Sequence, residues 1–463
     1  MITLEQALQI ALSENVSVNV ADKEIERSEY ARKGSYASLF PQVSGSGSYQ
    51  RTIKKQVMYM DSDGDGGGMA SMFTGIFEPI YNALGLLSAG TGVDITPALT
   101  PSEEPQPAPS SGDGGISVGR WNTFSGGVTA SMPLVNAQLW KSLEISAAGV
   151  ELAVEQARSS RLEMVTQVKQ AFYAVLLAKE AFSVYRDVYE NAVENFRQTE
   201  RKFNVQKASE LDYTRAKANV AAAIPNVYNA ENQVMLALWQ LKAVMGVDLE
   251  SNFDVAGSLA DYADTMFRDI HMHDDVSLEG NSTLRQLALQ AEQLAKTVQM
   301  QQYASLPSLA AAFSYSYNAM TNDFRFSEYK WTPYSYIGLS LSIPIFSGGK
   351  RLNDVRQARV QAVELDLQRV NTERQLRIAI RQYLSTMETN MKSWNSAQEA
   401  TGLARKAYEI AAKSYQLGKS TLTDLNDAQL ALTQSQLAGS QAVYNFIVAK
   451  AQLEQTLGYD FTE

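Results

Sequence analysis

The chain has 463 residues, with 50 acidic against 40 basic side chains, a formal net charge of −10, two histidines and no cysteine. The acidic balance excludes a nucleic-acid partner, which needs a basic face, and the missing thiols exclude disulfides and cysteine-based metal sites. So few histidines make most metalloenzyme and acid–base schemes poor fits.

Residues 3–38 read as one helix, with Thr3 as its cap and Leu4, Ala7, Leu8, Ala11 and Leu12 as its apolar stripe. This opening lacks the charged-then-apolar pattern of an export signal, which leaves either a cytosolic protein or one whose signal has been removed. Pro41 ends the helix, and Val43 to Ile53 alternates small or apolar with polar residues, as a strand does. Residues 60–118 are rich in Gly, Pro, Ser and acid and read as a long loop insertion. Within it, Asp61-Ser-Asp-Gly-Asp-Gly66 matches the first half of a calcium loop, but Met72 stands where the bidentate glutamate belongs. A flexible acidic loop is the better reading. Trp121 to Leu134 alternates again.

A helix of unusual length is expected from Ala137 to Phe203. Val150, Val154, Ala157, Val165, Val168, Phe172, Val175, Phe182, Tyr189, Val193, Phe196 and Phe203 recur at a mean step near 3.5, the spacing of a coiled coil. At 1.5 Å per residue it would be roughly 100 Å long. A second helix follows from Ser209 to Met245, with Pro225 expected to kink it. Residues 247–280 are irregular and acidic, and His271-Met-His273-Asp-Asp275 within them reads as a solvated linker rather than a metal site.

The same order then returns: a helix at 281–305, strands near 308–318 and 334–345, a long helix at 349–417 and a last helix at 421–457. Ser131-Met-Pro-Leu134 reappears as Ser342-Ile-Pro-Ile345, and Leu241-Lys-Ala-Val-Met-Gly246 as Leu453-Glu-Gln-Thr-Leu-Gly458. Residues 1–246 and 281–463 therefore read as two structural repeats around a linker at 247–280. The fold class is mainly α with a small β part: long coiled-coil-like helical hairpins and four strands.

Each strand has one apolar face (Leu309, Phe313, Tyr315; Ile337, Leu339, Leu341) and one small, polar face. This suits a half-buried soluble sheet, and it also suits a lipid-facing barrel. Four strands cannot close a barrel, so in lipid several chains would have to share one. A soluble coiled-coil scaffold or adaptor is the competing reading.

The pattern resembles the TolC family of outer-membrane efflux and secretion channels. The resemblance is carried by Leu4-Glu-Gln-Ala-Leu-Gln-Ile-Ala-Leu-Ser-Glu-Asn15, the Pro41 and Pro307 corners, the Ser-Met-Pro-Leu and Ser-Ile-Pro-Ile-Phe-Ser-Gly-Gly349 corners, and the turns Phe203-Asn-Val-Gln and Tyr415-Gln-Leu-Gly418. It implies a homotrimer whose strands form a twelve-stranded barrel in outer-membrane lipid over a helical periplasmic tunnel. It also implies two partners, a periplasmic adaptor and an inner-membrane transporter, and passive conduction with no enzymatic activity and no cofactor. By the same resemblance Asp424 and Asp427 line a constriction as two acidic rings that attract cations. Tyr415 matches a tyrosine that hydrogen-bonds across the gate to the aspartate at the position of Asp212. Val205, Gln206, Leu417, Gly418 and Lys419 make the turns that dock the adaptor. Ser420 departs from the pattern, because the family often has arginine there. Simpler roles compete at the same positions: Thr421-x-x-Asp424 and Ser209-x-x-Asp212 have helix-capping spacing, Tyr415 ends an apolar seam, and Asp427 fits an ordinary solvated site.

Overall fold

A computed structural model describes residues 1–58, 116–263, 266 and 277–459. Most of the 60–118 insertion lies outside these, including the calcium-like motif, as do His271 and His273. The chain divides into two compact units. One is helical (1–39, 135–308 and 342–463), and the other carries the sheet (40–134 and 309–341).

The helical unit opens on α1 (Leu4–Glu14) and α2 (Val16–Ala37), not on one continuous helix. Thr3 caps α1 reciprocally with Gln6, as its spacing predicts. Asn15 makes the break: its side-chain oxygen accepts from the amides of Ser17 and Val18, and its Nδ2 donates to the Val244 carbonyl at 2.6 Å. An asparagine that satisfies the next helix's free amides competes with the ladder it interrupts.

Next come α3 (Ala137–Asn204), α4 (Glu210–Met245), the short α5 (Ala260–Ala263) and α6 (Ser282–Tyr303). The unit ends with α7 (Lys350–Gln416) and α8 (Leu422–Leu457). α4 keeps its helical assignment through Pro225. It ends at Gly246 and α8 ends at Gly458, both in the left-handed conformation. Beside Gly458, Asn281 caps α6 and donates to the Thr456 carbonyl at 2.7 Å. That joint has the same form as Asn15 on Val244. The core gathers where these joints meet α3, around Leu8, Val168, Phe172, Leu241, Met245, Met387, Phe446 and Leu453. Each such side chain removed from water contributes about 1.5–3 kcal/mol.

In the sheet unit, β1 (Gln42–Arg51), β4 (Asn122–Val135), β5 (Ser308–Thr321) and β6 (Thr332–Ser342) form one sheet in the order β1-β4-β5-β6. β1 and β4 run antiparallel. Their register sets Ser44 opposite Thr129 and Ser48 opposite Ser125, joined through hydroxyls at 2.9 and 2.7 Å. The alternate residues, on the other face, pair Val43 with Ala130, Gly45 with Val128 and Tyr49 with Phe124, whose rings stack at 4.8 Å. Two further strands make a separate ribbon, β2 (Gln56–Met58) on β3 (Ile116–Val118). The final three residues of the expected loop are therefore paired backbone.

Candidate functional site

The two turns between long and short helices are built alike. At the first, where α3 ends, the Gln206 amide donates to the Phe203 carbonyl at 2.8 Å and the Lys207 amide to the Lys202 carbonyl at 2.7 Å. At the second, Gly418 donates to Tyr415 at 3.0 Å and Lys419 to Ser414 at 2.8 Å. A bond spanning six residues at a helix end requires a left-handed residue, and both turns supply one. Gly418 lies at φ +74° and Gln206 at φ +56°, the sole non-glycine with positive φ among the described residues. Val205, Leu417 and Lys419 are exposed beside them.

A capped helix follows each turn. Ser209 Oγ accepts from the Asp212 amide at 3.0 Å and donates to its carboxylate at 2.8 Å. Thr421 Oγ1 does the same with Asp424, at 3.1 and 2.7 Å, and the Asp424 carboxylate accepts from the Thr421 amide at 2.9 Å. The capping spacing read from the sequence is thus realised at both helices, with the reciprocal box complete at Asp424. The Thr421 amide and then its hydroxyl hold the Asp424 carboxyl below the usual aspartate range. Asp427 follows three residues later on α8, exposed like Asp424, so the two share a face.

Tyr415 does not meet Asp212 within the chain. It is buried with Ala216, Leu422 and Leu425, against Phe196, Tyr408, Ala411 and Ala412. Its hydroxyl lies 2.6 Å from Thr199 Oγ1, which itself donates to the Asn195 carbonyl at 2.8 Å. The Thr199 proton is committed, so Tyr415 is the donor. Lys202 donates to the Tyr415 carbonyl at 2.8 Å and sits 4.7 Å from its ring centroid. Tyr213 stacks on Phe203 at 5.0 Å. Ser420 donates to the Ala411 carbonyl at 3.3 Å.

Thr199 and Lys202 were not singled out from the sequence. The signal for Thr199 was present: it fills the seam step between Phe196 and Phe203, where a threonine replaces the expected apolar residue. Lys202 carried no comparable sign, since it sits in a charged run on α3.

The arrangement offers no metal cage; among the described residues no cluster of ligating side chains occurs. It offers rigid, capped helical tips with two acids on one exposed face.

The sequence pattern of the family described as "Outer membrane efflux protein" matches residues 96–247 and 275–459. The chain is 21% identical over 348 residues to outer membrane protein TolC of Vibrio cholerae, covering 72% of this chain and 76% of that protein. It is 22% identical over 343 residues to the alkaline protease secretion protein AprF of Pseudomonas aeruginosa, covering 72% and 69%. Its fold is similar to the crystal structure of the Campylobacter jejuni CmeC outer membrane channel. The TM-score there is 0.67 at 18% identity, covering 98% of this chain and 85% of that one.

Proposed function

The chain belongs to the outer membrane efflux protein family, and on that premise we propose that three copies assemble into a passive exit duct serving efflux or secretion. The protein is an outer-membrane channel component, and the family is not one of enzymes. A soluble scaffold is not favoured.

The sheet carries the trimer reading. β1 and β6 stand at its two ends, with no strand beyond them among the described residues. In lipid an unpaired edge is costly, and four strands are too few to close, whereas three copies would supply twelve. Along β6, Ile337, Leu339 and Leu341 are 81, 70 and 61% exposed, which suits contact with lipid tails. On α7, Val360, Val363, Leu367, Ile378, Leu403 and Ile410 are also exposed, many at coiled-coil steps, as a seam awaiting a second copy would be. The equal lengths of α4 and α8 and the paired Asn15 and Asn281 joints support two structural repeats, 1–246 and 281–463, around the linker 247–280.

In the assembled duct Asp424 and Asp427 form stacked acidic rings, Asp212 and Tyr415 belong to the gate, and the turns at Val205-Gln206 and Leu417-Gly418-Lys419 receive a periplasmic adaptor that couples to an inner-membrane transporter. The Tyr415–Thr199 bond supports a link between that gate and α3.

The test is planar-bilayer recording of detergent-purified protein. We expect cation-selective conductance, weakened in Asp424→Ala with Asp427→Ala along with block by multivalent cations. Unchanged selectivity would remove both acids from the mechanism. A monomer that stays soluble without detergent would remove the duct.

A further inference from the structure

Away from the helical tips, α3, α5, α7 and α8 line a cavity of about 420 Å³. Glu180 of α3 lines it half-buried beside Ser440 of α8, whose hydroxyl also donates to the Gln436 carbonyl at 3.2 Å. No lysine or arginine pairs with it among the described residues. Burial is the larger influence on this carboxyl and pushes it up; the Ser440 hydrogen bond opposes that more weakly. Arg405, the other charged side chain on the lining, is exposed and makes no ion pair with Glu180. The rest of the wall is apolar or neutral: Leu259 and Val443 are buried, and Trp394 presents a half-buried indole.

An acid in a cavity without a cationic partner is costly as an anion, and a ligand that brings the missing charge relieves the cost. Hydration competes strongly for a bare metal ion, and one carboxylate cannot replace the oxygens such an ion requires. An amine with an apolar body fits better. Its charge meets Glu180, its body displaces water from Leu259 and Val443, and an indole attracts cations through its ring face. The volume lies within the range of roughly 300–1,000 Å³ found for small-molecule sites.

We propose that this cavity binds a small lipophilic monocation, a protonated or quaternary amine carrying an aromatic or alkyl body, with Glu180 as its counter-charge. The site is independent of the duct reading, since it lies within one chain and its occupancy is measured without conductance.

The experiment is calorimetric titration of the purified full-length protein with benzyltriethylammonium, beside neutral benzyl alcohol and anionic benzoate. The cation should bind at least about tenfold more tightly than either comparison compound in the native protein, a result that requires no variant to fold. Glu180→Gln should weaken cation binding about tenfold while leaving benzyl alcohol unaffected, and Glu180→Asp should keep part of the preference. Equal affinity for cation and neutral compound overturns the proposal. So does a folded Glu180→Gln protein that binds the cation as tightly as the native one, or one whose melting temperature alone changes.

Discussion

Gln206 holds a conformation in which a Cβ crowds the neighbouring carbonyl, at a cost of about 1–2 kcal/mol that glycine avoids. Gln206→Gly should therefore stabilise the protein by about 1 kcal/mol, and Gly418→Ala should destabilise it by a similar amount, both read from denaturant midpoints. The sequence showed the glycine of one turn and a glutamine at the other. That the glutamine would be forced left-handed was not legible, because the demand comes from the six-residue hydrogen bond and not from the residue. Tyr415→Phe deletes the hydroxyl that reaches Thr199 and should cost about 1 kcal/mol, since the buried Thr199 oxygen loses its donor. The Asp424 carboxyl is held down when folded, so its capping contribution is complete above the unfolded aspartate value. It is lost as pH falls through the lower folded value. Asp424→Asn should thus lower stability at neutral pH and match the native protein in acid, in melts recorded across pH. A deficit that grew in acid would contradict the cap.

Elements whose ends are fixed by local chemistry were the most legible. Asn136 caps α3, Thr421 caps α8, and Gly246 and Gly458 close α4 and α8, and these helix limits were read to within a residue or two. The break at Asn15 was not, because the apolar stripe runs up to it and its partner, Val244, is 229 residues away. The seam of α3 also drifts from its reading: Val154 is 49% exposed, while Ala148 and Ala153 are buried beside the expected Ala157, so small residues take the contact there. β6 stops at Ser342 although Ile343 and Ile345 continue the alternation. In β4, a Cβ on Gly127 would stand 2.6 Å from the Tyr315 carbonyl oxygen, whereas one on Gly126 would meet nothing nearer than 4.0 Å. Gly127→Val should abolish pairing with β5 and Gly126→Val should be tolerated, as judged by the folded fraction recovered in detergent.

For the whole molecule, the helical core and the sheet make separate demands. Phe172 is fully buried at the centre of the helical core, and Phe172→Ala should cost about 3–5 kcal/mol in chemical unfolding. The β2–β3 pairing at the ends of the insertion limits what can be removed. Deleting 59–115 while keeping β2 and β3 should leave assembly intact, checked by cross-linking in detergent; loss of the oligomer would show that the insertion takes part.

The two asparagine joints give the molecule a timetable. A chain delivered from its N-terminus presents Asn15 early, but the carbonyl that Asn15 must hold arrives only with Val244, after α3 and most of α4 have emerged. Asn281 waits in turn for Thr456, almost the last residue described. The first joint can therefore lock while the second half is still being delivered, and the second can lock only as delivery ends. Until then the start of α6 lacks its tie to the end of α8.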